Sequence, residues 1–319
     1  MKKSIFAFAA ALAALVACNK NDVAPMQPQN QESLVPCELT VGICGAMTKA
    51  TAVSADNEAK VNNLQVFVFR GDDLDAYASV DNAQELTLSC TAGDRVVYAL
   101  VNAPDYSAVP GKAALLAKVS ELSANSLSNF EMVGSKSVTL PQSEKVSIDV
   151  NRIASRVVLK KITRSFTSEA LQALNFKVDA IYLINVAGNT SYDLSAAPAK
   201  WYNVAENKNE FASLLYDAPA SLITNGQSYS TAHTFYAYPN DLATNTTRLV
   251  IETTLGETKY YYPINLPEMA ANKSYEIEEV KITRPGSDNP DEPVSFADAT
   301  FSINVIDWTV VPVTEGTTI

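Results

Sequence analysis

Histidine occurs once in this 319-residue chain, at His233, so any Ser/His or Cys/His nucleophile arrangement has a single possible base. His233 opens the run Thr234-Phe235-Tyr236-Ala237-Tyr238, which reads as an aromatic strand carrying a packed or rim histidine. The four cysteines have no CxxC or mixed Cys/His spacing, and that removes the usual zinc signatures. A Walker loop, a GxSxG elbow, an HExxH pair and an EF-hand loop are also missing. Acidic pairs such as Asp72-Asp73 and Asp291-Glu292 fall in turns and linkers, a poor setting for the paired carboxylates of a glycosidase. The expectation is a protein that is not an enzyme, with no catalytic residues, cofactor or metal. Basic residues are also scarce, 24 Lys and Arg against 35 Asp and Glu, for a net charge of −11. This deficit argues against nucleic acid or an anionic membrane face as a partner.

What is present begins with an address. Lys2 and Lys3 precede an apolar run from Ser4 to Ala17, and Leu15-Val16-Ala17-Cys18 closes it with small residues before a cysteine. A membrane-spanning helix needs roughly 20 apolar residues; this run is shorter and has the basic flank and small-residue cut site of a removed leader. Residues 1–18 are therefore expected to be a lipoprotein signal peptide, with acyl chains such as palmitate on Cys18. Two or more chains anchor a protein stably where one does not. Residues 19–35 are polar and carry Pro25 and Pro28, a composition suited to a tether.

An apolar fraction of 47% suffices for a core in each of two ordinary domains. Residues 36–150 show short alternating runs at Leu64–Phe69, Glu85–Cys90, Val96–Val101, Ser137–Leu140 and Val146–Val150, with turns at Gly71-Asp72-Asp73 and Ala92-Gly93-Asp94. Only Lys112–Leu122 has helical spacing, through Leu115, Leu116, Val119 and Leu122. Residues 151–283 repeat the strand pattern at Arg156–Ile162, Ala180–Val186, His233–Tyr238, Arg248–Thr254, Lys259–Ile264 and Tyr275–Ile282. Such spacing predicts sandwiches rather than βαβ units. Residues 284–298, which contain Pro285, Gly286, Pro290 and Pro293, read as a flexible linker. Residues 299–319 read as a final β-like segment.

Two stretches stand apart. Cys37, Leu39, Val41 and Ile43 share one parity, so the segment from Pro36 is a half-buried strand. It is followed by a small-residue loop with a single basic residue, Lys49, where a trypsin-like protease can cut before Ala50. Near the C-terminus Val310, Val311, Val313 and Ile319 continue an apolar strand pattern, and a free strand is a liability unless it has a designated partner. Cys37, Cys44 and Cys90 read as small buried hydrophobes, with a bridge from Cys37 or Cys44 to Cys90 as the alternative.

In these features the chain resembles the lipid-anchored fimbrillins, the stalk (major fimbrial) subunits of Bacteroidetes-type, or type V, pili. The carriers are Leu15-Val16-Ala17-Cys18-Asn19-Lys20, Lys49-Ala50, Glu58-Ala59-Lys60-Val61-Asn62-Asn63-Leu64, Cys90-Thr91-Ala92-Gly93-Asp94-Arg95, Arg152 to Leu159, Asn272-Lys273-Ser274-Tyr275, Arg284 to Pro290, and Asp307-Trp308. The resemblance implies an all-β chain of two tandem transthyretin-like sandwiches with a C-terminal donor strand. It also implies passage through the lipoprotein export machinery to the outer membrane, cutting at Lys49-Ala50 by a trypsin-like surface protease with Lys60 as the fallback site, and assembly into an adhesive cell-surface fimbrium. Loss of the strand bearing Cys37, Leu39, Val41 and Ile43 would open a groove. The donor residues Val310, Val311, Val313 and Ile319 of an identical or related pilin subunit would refill it, head to tail. Residues 299–309 are expected to bridge outward from the second sandwich. The alternatives are a lipid-anchored glycan-binding protein using Trp201-Tyr202 and Tyr260-Tyr261-Tyr262, and a tip or anchor subunit of the same pilus.

Overall fold

Runs that alternate at period two, broken by turn residues, become strands. In the computed structural model, which describes residues 34–44, 55–141, 144–204, 212–243, 245–292 and 298–308, the chain is nearly all β. The first set of strands is β1 (Pro36–Cys44), β2 (Asn63–Arg70), β3 (Asp73–Asp81), β4 (Glu85–Thr91), β5 (Gly93–Val101), β6 (Val119–Glu121), β7 (Met132–Leu140), β8 (Lys145–Asp149) and β9 (Asn151–Arg152). All but β6 form a three-stranded sheet in the order β4-β1-β8 and a five-stranded sheet in the order β3-β2-β5-β7-β9. Leu39, Val41 and Ile43 of β1, Leu64, Val66 and Val68 of β2, and Val146 and Ile148 of β8 fill the space between the two sheets. The opposite face of β2 carries Phe67 and Phe69, which are buried in a second core. The five-stranded sheet is thus covered on both sides, so Leu64–Phe69, expected as an alternating run, is apolar at every position but Gln65.

The second set comprises β10 (Ser155–Leu159), β11 (Ile162–Arg164), β12 (Phe176–Ile184), β13 (Asn189–Ser191), β14 (His233–Ala237), β15 (Arg248–Leu255), β16 (Thr258–Asn265), β17 (Lys273–Ile282) and β18 (Ala299–Asp307), together with several two-residue strands. One sheet has β17 between the β10–β11 line and β18, with β14 beyond β10; the other runs β12-β15-β16. Their apolar faces share the core that holds Phe67 and Phe69.

Three sequence expectations change. Lys112–Leu122 holds only a short helix, Lys112–Leu116, before β6 and a 3-10 turn. Val119–Glu121 pairs instead with Asn189–Ser191 of the second set, so tertiary pairing overrides the helical spacing. Arg284–Pro293 was expected to be a free linker, yet its start is docked on β16. Ser287 and Tyr261 exchange backbone hydrogen bonds at 2.8 and 2.9 Å, and Tyr262 donates its hydroxyl to the Arg284 carbonyl at 2.8 Å. A Cβ on Gly286 would lie 2.2 Å from the Tyr261 carbonyl oxygen, so glycine is needed there for close approach rather than for flexibility. Ala299–Asp307, expected to bridge outward, pairs antiparallel with β17 from Ala299 opposite Ile282 to Asp307 opposite Lys273. It is part of the second sandwich.

Where β6 meets β13, the fold buries an acid. Glu131 is 1% exposed and accepts a hydrogen bond from the Tyr192 hydroxyl. Asn125 ties the same region together, accepting from the Glu131 backbone N–H at 2.9 Å and donating to Tyr238 at 2.7 Å. Burial raises the Glu131 carboxyl above its ordinary range, against the pull of the Tyr192 and Ser120 hydroxyls. A raised folded-state value means the contribution to stability is complete below the unfolded carboxyl's range and is lost as pH rises through the folded value. Glu131→Gln is therefore expected to raise the melting temperature by a few degrees at pH 8 and to leave it nearly unchanged at pH 4, as read by thermal denaturation monitored at both pH values.

Candidate assembly site

β1 is the central strand of its sheet although it opens the described chain. It pairs antiparallel with β4, from Pro36 opposite Thr91 to Gly42 opposite Glu85, and parallel with β8, from Thr40 opposite Lys145 to Cys44 opposite Asp149. Leu39 and Val41 are fully buried and Ile43 nearly so; Cys37 is half-buried against the same core. Each of the three aliphatic side chains contributes about 1.5–3 kcal/mol by leaving water. Removing β1 would expose two sheet edges and one face of a core. On the outer surface a Lys145–Glu85 ion pair at 2.7 Å joins β8 to β4, the strands flanking β1. A Cβ on Gly42 would meet the Glu85 carboxylate at 3.3 Å, so the glycine leaves that carboxylate room. Both partners are largely exposed, and such a pair is worth about 0–1 kcal/mol.

The cysteines divide. Cys90 is buried, Cys37 intermediate and Cys44 exposed, and all three are free. Cys44 thus departs from the expectation of a buried hydrophobe. It sits at the end of β1, where its thiol donates to Asp149 Oδ1 at 2.7 Å.

A second constellation surrounds Glu58, the last residue of a short helix (Ala55–Glu58). Its side chain is fully buried. The carboxylate accepts from Arg156 Nη1 at 3.1 Å, from Trp308 Nε1 at 3.1 Å and from the Tyr236 hydroxyl, while its backbone carbonyl accepts from Arg152 Nε at 3.0 Å and Nη2 at 2.9 Å. The Arg152 guanidinium lies 4.5 Å from the Trp308 ring centroid, and Phe130 and Tyr236 pack on the same indole, each 5.6 Å away. Burial brings Arg152 down to about 10, against the opposing field of Glu58. Trp308 itself donates its backbone N–H to the Asn272 carbonyl at 2.9 Å. Three segments far apart in sequence meet here: the residues after the Lys49 loop, the passage from the first strand set to the second, and the root of the C-terminal segment. In the sequence Glu58, Arg152 and Trp308 stand out only within the stretches that carry the resemblance, and nothing in their spacing points to a shared role.

The remaining candidates are structural. His233 has both ring nitrogens engaged, Nδ1 by Asp217 at 2.7 Å and Nε2 by the Tyr229 hydroxyl at 3.1 Å. Tyr262 and Tyr202 are buried, and Trp201-Tyr202 pairs with Val186-Ala187 rather than with the strand that carries Tyr260-Tyr261-Tyr262. The aromatic residues proposed for a glycan platform are therefore not brought together by strand pairing, and two of them are spent on packing. Among the described residues no group of His, Cys, Asp and Glu could hold a metal ion. Cys18, Lys49, Ala50, Val310, Val311, Val313 and Ile319 lie outside the described residues.

Residues 38–156 match the family model described as major fimbrial subunit protein (FimA). The match begins inside β1 and ends at Arg156 of the Glu58 cluster, and it bears out the resemblance to Bacteroidetes-type fimbrillins. Among solved structures, a cell adhesion protein of Bacteroides eggerthii aligns with a TM-score of 0.71 at 21% identity, covering 89% of this chain and all of that one. A fimbrilin of Porphyromonas gingivalis aligns at 0.62 and 17%, covering 86% of this chain and 98% of its own. A tip fimbrial protein of the same organism aligns at 0.55 and 12%, covering 86% of this chain and all of that one. At these identities the structures establish the shared β-sandwich architecture.

Proposed function

We propose that this protein is a structural pilin, a stalk subunit of a cell-surface adhesive fimbrium, assembled by protease-triggered donor-strand exchange. It reaches the outer membrane as a lipoprotein precursor with Cys18 acylated, and a trypsin-like surface protease cuts between Lys49 and Ala50. β1, with Cys37, Leu39, Val41 and Ile43, then leaves. The C-terminal segment of a neighbouring subunit, through Val310, Val311, Val313 and Ile319, occupies the vacated place between β4 and β8. The observation that carries this reading is the position of β1, a central strand held between β4 and β8 by hydrogen bonds and packing and covalently continuous with them only through residues 45–54. Its departure would leave a groove whose two backbone edges and apolar floor fit an extended strand. Groove and donor are different surfaces, so the contact is head-to-tail and propagates as a filament.

The Glu58 cluster supports Lys49 over Lys60 as the working site. Cutting after Lys60 would sever Glu58 from the chain, whereas cutting after Lys49 leaves the cluster intact. The Lys60 carbonyl is also held by Asn102 Nδ2 at 2.8 Å, and a protease needs several residues of free extended backbone on each side of the bond. A tip subunit of the same pilus is expected to lack a spare donor strand, and the apolar pattern after Val310 favours the stalk role.

The test is limited trypsin digestion of protein beginning at Asn19, under reducing conditions. The expected products are a new N-terminus at Ala50, release of the peptide bearing β1, and oligomer ladders on an unboiled denaturing gel. Ladders formed by protein that retains β1 would overturn the exchange mechanism.

A further inference from the structure

Cys37 and Cys90 are directly opposed across β1 and β4, and their sulfur atoms are 3.7 Å apart. The ladder tells which kind of pair they form. Ile43 donates to the Gln84 carbonyl and Ala92 to the Val35 carbonyl, so the odd-numbered residues of β1 occupy hydrogen-bonded positions, Cys37 among them. At such positions the Cα atoms are about 5.5 Å apart, inside the roughly 4.4–6.8 Å window that a disulfide spans. Opposed Cβ atoms stand about 4.5–5.5 Å apart and a disulfide holds them at about 3.5–4.5 Å, so closing the bond needs side-chain rotation and a small approach of β1 to β4. Cys44 is excluded as a partner of Cys90, because it is seven residues further along β1 than Cys37, about 23 Å at the rise of a strand.

We propose that Cys37 and Cys90 are a redox-modification site, converted by a disulfide-bearing oxidant into a bridge that pins β1 to β4 and holds the subunit out of assembly until the bridge is reduced. The pinning rests on β1 being the removable strand; the bridge itself does not. The chemistry is thiol–disulfide exchange. Cys37, the half-exposed partner, attacks the oxidant's disulfide as thiolate, forming a mixed disulfide and releasing one oxidant thiol. Cys90 then gives up its proton and attacks the Cys37 sulfur, and the second oxidant sulfur leaves as a thiol. Two protein thiols are oxidised, one oxidant disulfide is reduced, and the two protons end on the oxidant. The order follows from exposure: Cys90 is 5% exposed, and burial, reinforced by the neighbouring Cys37, pushes its thiol up to about 12. A chain exported through an oxidising compartment meets oxidants of this class.

A bridge here acts on assembly. It crosses from the strand that leaves to a strand that stays, so cutting after Lys49 would yield two polypeptides joined through sulfur. The groove would remain filled, and no donor could enter.

The experiment uses protein from Asn19 to Ile319 carrying Cys44→Ser, incubated with oxidised glutathione or with dithiothreitol, then cut with trypsin. Oxidation is expected to remove two hydrogens from the intact mass and to protect Cys37 and Cys90 from alkylation. After cutting, the β1 peptide should stay with the body on a non-reducing gel and the ladder should fall at least tenfold; dithiothreitol should restore release and the ladder. Cys37→Ser should form ladders with or without oxidant. Two alkylatable thiols after oxidation, or a stable glutathione adduct on Cys37 without the bridge, would overturn the site. A bridged subunit that still forms ladders would overturn the pinning. If reduced, cut protein keeps β1 and forms no ladder, the removable-strand reading fails and the pinning with it, while the bridge stands or falls on the mass of the uncut chain.

Discussion

Truncation after Trp308 is expected to leave a subunit that folds, is cut after Lys49, loses β1 and forms no polymer. Folding should survive because β18 and the Trp308 contacts are intact: the indole N–H still reaches Glu58 and the backbone N–H still reaches Asn272. Assembly should fail because the missing residues include Val310, Val311, Val313 and Ile319, the side chains proposed to refill the pockets of Leu39, Val41 and Ile43. At about 1.5–3 kcal/mol for each buried side chain and a factor of ten for every 1.4 kcal/mol, losing several of them weakens the joint by many orders of magnitude. A truncated subunit keeps its groove, however, and can still accept a donor. Mixed in equal amounts with intact cut protein, it should therefore cap growing chains and shift the ladder to short species. Electron microscopy and unboiled gels read both effects. Fibres from truncated protein as long and as abundant as those from the intact chain would refute the donor assignment.

The strand-rich architecture was legible because period-two patterning is local. The run from Cys37 to Ile43 announces its buried face in seven residues, and the structure buries Leu39, Val41 and Ile43. β3 escaped notice for an equally local reason. Asp73–Asp81 holds Ala76, Ala78 and Ser79 among three aspartates, and it is an edge strand whose residues are mostly only half-buried, so it needs little apolar patterning. The Pro- and Gly-rich run after Thr283 misled in the opposite direction, since those residues fit a segment docked along β16 as well as a free one. The Glu58 cluster was not legible at all. Its bonds join residues separated by 98 positions for Arg156 and 250 for Trp308, and no spacing rule connects residues that only the tertiary fold brings together.

Glu58→Ala is expected to destabilise the protein by about 3–5 kcal/mol, the cost of leaving a buried charge without its partner. The surroundings cannot readily compensate. Arg156 is 9% exposed, and its other acidic neighbour, Glu276, is at the longer distance of 3.7 Å. Trp308 and Tyr236 would lose the acceptor of their polar hydrogens inside a core, which adds a desolvation cost for each. By contrast, removing the exposed Lys145–Glu85 pair should cost no more than about 1 kcal/mol. A domain's whole stability is of order 5–15 kcal/mol, so a loss at Glu58 should lower the urea midpoint substantially. Glu58→Gln keeps the shape and one acceptor oxygen but not the charge, and it should fall between Glu58→Ala and the intact protein. Arg152 keeps its hydrogen bonds to the Glu58 backbone carbonyl but loses the opposing field of the Glu58 charge, which adds to the cost of both substitutions. Trp308 is the last described residue before the donor segment, so loosening its seat should also free the donor's root. In 1 M urea, where the body of Glu58→Gln remains folded, ladders should therefore grow more slowly than those of the intact chain. Equal urea midpoints for Glu58→Ala and the intact protein would show that the buried carboxylate is not what ties these three segments together.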